Sequence, residues 1–224
     1  MHKSRLTIFS GHYGSGKTTI AVNYALWLRN TGVKVTICDL DIVNPYFRTA
    51  DSIDLLNKHD IELITSEYAN SNLDMPAVHP RTQSVFDNKN IHAVIDLGGD
   101  NRGALALGRY AQSIADEGGC EMLLVINKYR PLTRDIEKIV AIKNEIEEAS
   151  NVMFTGIVNN SNLGGETTVQ TVLDALSFAD ELSNEINLPV KMTVIDKAVL
   201  NAENQAIIEN VFPIEIYKKK IWKI

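Results

Sequence analysis

Three groups of residues have the types and spacing to act on a phosphorylated ligand. The octapeptide Gly11-His12-Tyr13-Gly14-Ser15-Gly16-Lys17-Thr18 fits the pattern GxxxxGK[ST] at every defined position. It directly follows the apolar run Leu6 to Phe9 and directly precedes a helix-patterned segment, the context this phosphate-binding loop requires. There the backbone N–H groups of Gly11, Gly14, Ser15 and Gly16 turn inward around an anion, and the positive end of the next helix adds to the field. Lys17 is then placed to reach β- and γ-phosphates, Thr18 to ligate Mg2+, and Thr19 to hydrogen-bond the α-phosphate. The bland alternative is a glycine-rich strand-to-helix turn with a surface lysine.

The second group is Ala93-Val94-Ile95-Asp96-Leu97-Gly98-Gly99, an apolar run that ends in Asp96. A carboxylate at a strand end can hold a Mg2+-bound water. The same residues read as DxxG, which puts the Gly99 amide where it could sense a γ-phosphate. An ordinary strand-end Asp in a turn competes with that reading. In the third group, Asp39-Leu40-Asp41 closes another apolar run and is followed by Asn44-Pro45. A carboxylate there can orient an attacking water or back up the metal. N-capping of the next helix competes, and spacing alone does not decide between Asp39 and Asp41.

These groups need a scaffold, and the sequence supplies one. Short apolar, β-branched runs occur at Leu6 to Phe9, Val33 to Cys38, Ile61 to Ile64, Ala93 to Leu97, Met122 to Ile126, Phe154 to Val158 and Val190 to Ile195. Each has the length of a buried strand. Between them lie helical spacings: Ile20, Ala21, Tyr24, Ala25 and Leu28; Ile136, Ile139, Val140 and Ile146; Val169, Val172, Leu173, Leu176, Ala179 and Leu182. Strands alternating with amphipathic helices predict a doubly wound α/β fold, a mostly parallel sheet with helices on both faces. At 224 residues the chain is read as one domain, 1–224. The least regular stretch, Tyr68 to Asn90, carries Pro76 and Pro80.

At these three motifs the sequence resembles the MinD/ParA branch of P-loop NTPases, which includes nitrogenase iron protein-like and cobyrinate synthetase-like proteins, and the likeness runs from Leu6 to about Ala202. The resemblance implies that Asp41, the second Asp of a DxD element, lies near the γ-phosphate and assists the metal, and that Asp96 to Gly99 is the DxxG element. It implies an adenine contact from an Asn after a later strand. Within Gly156-Ile157-Val158-Asn159-Asn160-Ser161 the better-aligned candidate is Asn160, with a polar loop as the alternative. Leu188-Pro189-Val190 through Ile195-Asp196 is similar to the strand and turn that flank the base. An ATP-dependent homodimer with two phosphate loops face to face is implied as well. One position departs from the branch. Many members have a lysine after the first loop glycine, whereas this chain has His12. That charge would fall to a protonated His12, or to Arg48 or Arg102 in the two switch segments. Iron–sulfur scaffold members carry a CxxC that this chain lacks.

Asn127-Lys128-Tyr129-Arg130 has the outline of NKxD, in which the Asp accepts hydrogen bonds from guanine. Arg130 can only donate, so guanine loses its discriminating partner and ATP is the expected nucleotide. The function favoured is an ATPase switch acting on an unknown protein partner or cargo. The alternative is an ATP-dependent small-molecule enzyme of the cobyrinate or dethiobiotin synthetase type, activating a carboxylate with the γ-phosphate; His79 and Arg81 are the suggestive cluster for its acceptor. A third option is a binding module with negligible turnover.

Composition sets outer limits. Hydrophobic content of 45% and charged content of 22% are ordinary for a globular protein. No segment reaches the roughly 18 consecutive apolar residues of a membrane span. Met1 to Arg5 shows no signal-peptide pattern, and a cytoplasmic location is expected. A net charge of −6 argues against broad electrostatic binding to nucleic acid. Cys38 and Cys120 are too far apart in sequence for a CxxC site and read as buried apolar residues. The basic tail, Ile214 to Ile224, has two readings. As a helix it gathers Ile214, Tyr217, Ile221 and Ile224 on one face and would give weak membrane association, as MinD-like tails do. As an edge strand it continues the alternation Pro213-Ile214-Glu215-Ile216, with lysines guarding the edge.

Overall fold

Every expected apolar run forms a strand, and one more strand closes the sheet. In the computed structural model, residues 4–41, 52–65 and 78–217 are described, with the backbone alone for Asn204. The strands are β1 Leu6–Ser10, β2 Val35–Leu40, β3 Glu62–Ile64, β4 His92–Leu97, β5 Glu121–Ile126, β6 Gly156–Asn159, β7 Val190–Asp196 and β8 Val211–Ile214. They form an eight-stranded sheet in the order β3-β2-β4-β1-β5-β6-β7-β8. All neighbouring pairs are parallel. Every strand therefore ends at one edge of the sheet, and β1, which feeds the phosphate-binding motif, lies in its interior.

Between the strands run α1 Lys17–Asn30, α2 Ile53–Lys58, α3 Thr82–Asp87, α4 Asn101–Gly108, α5 Ala111–Asp116, α6 Ile136–Ser150, α7 Val169–Ile186 and α8 Ala202–Ile207. Side chains alternate between the faces along each strand, and both faces are covered. Phe9, Ile37, Val94, Val125 and Val158 pack beneath α1 with Ile20, Tyr24 and Leu28. Leu6, Ile8, Ile95, Leu124 and Ile157 pack on the other face against residues of α3 to α7, among them Phe86, Leu107, Ile139 and Leu182. Phe9 meets Tyr24 edge to face at 5.3 Å, so the strand end two positions before the phosphate motif is pinned to the helix that begins at Lys17.

The five shortest helices among the described residues, α2, α3, α4, α5 and α8, were not read from the sequence, because six to eight residues give too little periodicity. Of the two readings of the tail, the edge strand holds for its start: Ile214 ends β8, buried at the sheet edge, because its alternation with Phe212 matches a strand packed against β7 and α1. Residues 218–224 lie outside the described residues, as do Asn44, Pro45, Arg48 and Pro76. Cys38 is buried, but Cys120 is only half-buried. Burial pushes both thiols up to about 12. Among the described residues no helix is long and apolar enough to cross a membrane.

Candidate functional site

The phosphate motif sits at the sheet edge where the strands end, between β1 and the first turn of α1. Gly16 is the N-cap of α1 at φ 93° and ψ 20°, a left-handed conformation that a side chain would strain. No side chain caps this helix start, and its first turn carries no acidic residue. The N–H groups of that turn and the positive helix end are thus left for an anion. The Ser15 N–H, expected to turn toward an anion, instead donates to the His12 carbonyl at 3.2 Å, which closes the loop on itself. Lys17 is 4% exposed, and its Nζ reaches the same carbonyl at a long 3.5 Å.

The acidic motifs meet this loop by strand register. Phe9 pairs with Asp96 across β1 and β4, and Asp39 pairs with Asp96 across β2 and β4. Asp39, Asp41 and Asp96 are all buried at the strand ends. The Thr18 hydroxyl donates to Asp96 Oδ2 at 2.7 Å, joining the expected metal ligands Thr18 and Asp96 directly. The Asp41 N–H donates to Asp39 Oδ1 at 3.0 Å, so the two carboxylates of the third motif share one turn. Asp41 does not cap the next described helix, α2, whose N-cap is Ser52. Among the described residues no three His, Cys, Asp or Glu side chains gather to hold a metal by themselves. The donor set fits Mg2+ held by Thr18, carboxylate-bound waters and phosphate oxygens, since that ion keeps several waters.

Gly99 lies against the loop more closely than any other residue type would allow. A Cβ there would fall 1.9 Å from the Gly11 carbonyl oxygen and 3.1 Å from the His12 Cα. At Gly98 it would lie 3.3 Å from Asp41 Oδ1. Asp100 then caps α4, accepting from the Arg102 and Gly103 N–H groups at 2.8 and 3.0 Å. The DxxG segment thus touches the phosphate loop and begins a new helix within five residues, Asp96 to Asp100. Sequence reading did not identify this cap; an Asp directly before Asn101-Arg102-Gly103 was the available signal.

Asn160 is 4% exposed and its Nδ2 donates to the Ser15 carbonyl at 2.7 Å, so the side chain expected at adenine touches the phosphate loop. Thr19 is half-buried, and its carbonyl accepts from Asn23 Nδ2 at 2.9 Å. His12 points its ring Nδ1 at the Tyr13 carbonyl, 3.2 Å away, and lines a small gap with Thr133, Ile139 and Ile142. Arg102 is exposed at the start of α4. The NKxD-like element is used for packing. Asn127 is buried and exchanges hydrogen bonds with Asn162, Lys128 Nζ donates to the Asp174 carbonyl at 2.8 Å, and Arg130 is exposed. Arg81 pairs with Glu62, and its N–H donates to His79 Nδ1 at 3.0 Å, so this cluster's charge is already matched.

The comparisons agree with this geometry. No curated protein matches the chain. Solved structures with the same fold include the cell division protein FtsY from Thermotoga maritima, with a TM-score of 0.56 and 19% identity over 85% of this chain and 62% of that one. Chloroplast FtsY from Physcomitrella patens gives 0.54 and 18%, over 85% and 58% of the two chains. The Signal Recognition Particle 54 kDa protein from Aeropyrum pernix, in complex with GDP, gives 0.51 and 16%, over 83% and 40%. The chain spans less than two thirds of the length of each, and at these identities the likeness is one of fold. The family described as "CobQ/CobB/MinD/ParA nucleotide binding domain" matches residues 6–211, which include all three motifs. With a P-loop, a strand-end Asp96 on Thr18 and a parallel sheet to hold them, the chain is a P-loop nucleotide-binding protein and belongs to the CobQ/CobB/MinD/ParA nucleotide-binding domain family.

Proposed function

We propose that this protein is a Mg-ATP-dependent ATPase switch whose output is the binding of a protein partner or cargo. The observation that carries the reading is the 2.7 Å hydrogen bond from Thr18 to Asp96 beside an uncapped glycine-started helix. A hydroxyl that donates its proton to Asp96 keeps its lone pairs for a cation. Mg2+, when bound, screens the phosphate charge. Lys17 supplies a second positive charge to the β- and γ-phosphates, and Asp41 orients the attacking water. Gly99, packed against Gly11, carries a γ-phosphate-dependent shift of the loop into α4. Adenine is favoured over guanine because Arg130 stands where guanine requires an acceptor, and Lys128 is tied to α7. Action in the cytoplasm as an ATP-dependent homodimer completes the reading, with Arg102 among the candidates to supply charge across the two sites.

The test is a hydrolysis assay in which ATP outcompetes GTP and turnover rises with protein or membrane fractions. Stimulation by small carboxylates instead would move the protein to the ligase-like alternative. Light scattering of an Asp41→Ala trap with Mg-ATP should give a dimer, and a persistent monomer would count against the switch.

A further inference from the structure

We infer that Asn160 is a positioning residue for the phosphate loop. This deepens the nucleotide-site reading above and rests on it. Asn160 follows β6, and its backbone N–H donates to the Ile126 carbonyl at 2.9 Å, which fixes it to the end of β5. From there the side chain crosses to the loop and Nδ2 donates to the Ser15 carbonyl at 2.7 Å. Contact continues onto the next residue, where a Cβ on Gly16 would lie 2.2 Å from that Nδ2. Position 16 is thus restricted twice, by its φ of 93° and by the amide laid against it.

The consequence follows from peptide geometry. The Ser15 C=O and the Gly16 N–H belong to one planar trans unit and point in opposite directions. Holding the carbonyl on Asn160 therefore directs the Gly16 N–H away from Asn160, as one of the donors a phosphate would use. Without the bond, that unit is free to rotate and the donor loses its fixed direction. Asn160 is itself held. Asn162 Nδ2 donates to its Oδ1 at 3.2 Å and to its carbonyl at 2.8 Å, and the Asn162 carbonyl accepts from Asn127 at 3.2 Å. Asn127, 1% exposed, thus secures the donor through a chain of asparagines, with Asn162 half-buried, that joins the ends of β5 and β6 to the loop. Its hold on the Ser15 carbonyl acts on the phosphate end of any nucleotide, whatever its base.

The experiment compares Asn160→Ala and the isosteric Asn160→Asp with wild type by calorimetric titration of ATP, GTP and inorganic triphosphate, at a temperature where circular dichroism shows each variant folded. The expected result is a loss of about tenfold for inorganic triphosphate, with ATP and GTP both weakened at least as much. Hydrogen exchange at saturating inorganic triphosphate should rise at the Gly16 and Lys17 amides and stay constant in β7, which a purely global destabilisation would not produce. Asn160→Asp keeps the packing and loses the donor, so it should show the same loss for inorganic triphosphate even if Asn160→Ala fails to fold. A loss confined to ATP, or no loss in a folded variant, overturns the inference. Lys17→Ala serves as the control for the underlying reading: if it retains full affinity, the nucleotide site is misplaced and the failure lies there.

Discussion

The two edges of the sheet both bury charge, and they treat it in opposite ways. Where the strands begin, Arg5 donates from two nitrogens to Glu117 and from a third to the Val85, Asn88 and Ile91 carbonyls at 2.9, 3.1 and 3.3 Å. Lys89 adds a 2.9 Å contact to the same carboxylate. The Arg5 hydrogen bond, then that of Lys89, holds the Glu117 carboxyl below its usual range against the opposing effect of burial. Where the strands end, Lys17 is more deeply buried, yet its contact to the His12 carbonyl is 3.5 Å long. Three carboxylates and Thr18 crowd the same edge, and the first turn of α1 has no side-chain cap. A buried charge supplied with partners from its own chain is a structural element. One kept at the limit of hydrogen bonding, beside open helix N–H groups, is ready for an anion from outside. The half-open groove of about 440 Å³ beside Arg5 is accordingly read as structural, despite its charged lining.

If that contrast is right, the largest effect belongs to Lys17→Ala, which should weaken nucleotide binding on the order of a thousandfold. Its melting temperature should stay close to wild type, since no strong internal bond is removed. Titration with Mg-ATP and thermal melting on the same sample check both halves, and a large drop in melting temperature would mean that Lys17 is structural after all. Next, Asp96→Asn should lower Mg2+-dependent turnover about a hundredfold while binding stays measurable. Asp41→Asn should also act on turnover more than on affinity. Single-turnover hydrolysis distinguishes these roles, and equal rates in wild type and both variants would remove them.

The mirror experiment is Arg5→Ala at the opposite edge, expected to cost about 3 kcal/mol of stability with nucleotide affinity unchanged. Its pH dependence has a definite sign. Because the folded Glu117 pKa lies below its usual 4.5, its contribution is present above that value and is lost as pH falls through the folded one. Denaturant melts at pH 7 and pH 3 should therefore show Arg5→Ala and wild type far apart at the first and closer together at the second. Equal separation would show that the arginine acts on the Val85, Asn88 and Ile91 carbonyls alone.

The two edges were not equally legible in the sequence. The phosphate edge is local in chain terms: a glycine-rich octapeptide, a strand-end Asp and a DxD turn each announce themselves within eight residues, and strand register then brings them together. The doubly wound sheet was legible for the same reason, since β-branched runs and 3.6-residue spacing are local patterns. What escaped was built from distant pairs. Arg5 and Glu117 are 112 positions apart, and Asn160 and Ser15 are 145 apart, so no spacing rule links them. Asn160 illustrates the limit best. The resemblance identified a residue that the structure does bring to the site, but its present partner is a backbone carbonyl that only the fold could supply. Gly99 is intermediate: its motif was visible, while the 1.9 Å approach that demands a glycine was not.

The smallest expected effect tests whether every polar contact on α1 belongs to the nucleotide site. Asn23 lies one turn beyond Thr19 and acts as a strand neighbour would, donating Nδ2 to the Glu215 carbonyl at 3.0 Å and accepting from the Glu215 N–H at 2.9 Å. This bond pair ties the segment after β8 to the helix that starts at the phosphate loop. Asn23→Ala would leave both Glu215 backbone groups exposed enough for water to replace the amide, so the cost should be about 1 kcal/mol, or a fall of roughly 2–4 °C in Tm. Nucleotide affinity should not change, because the Thr19 carbonyl that also accepts from Nδ2 is already an acceptor within the helix ladder. Asn23→Asp should cost more, since it keeps the acceptor for the Glu215 N–H and sets a carboxylate against the Glu215 carbonyl. Paired melting curves and ATP titrations measure both. A tenfold loss of affinity in Asn23→Ala would mean that the end of β8 is mechanically part of the phosphate site, and the division between a ligand-ready loop and a self-satisfied scaffold would have to be drawn beyond α1.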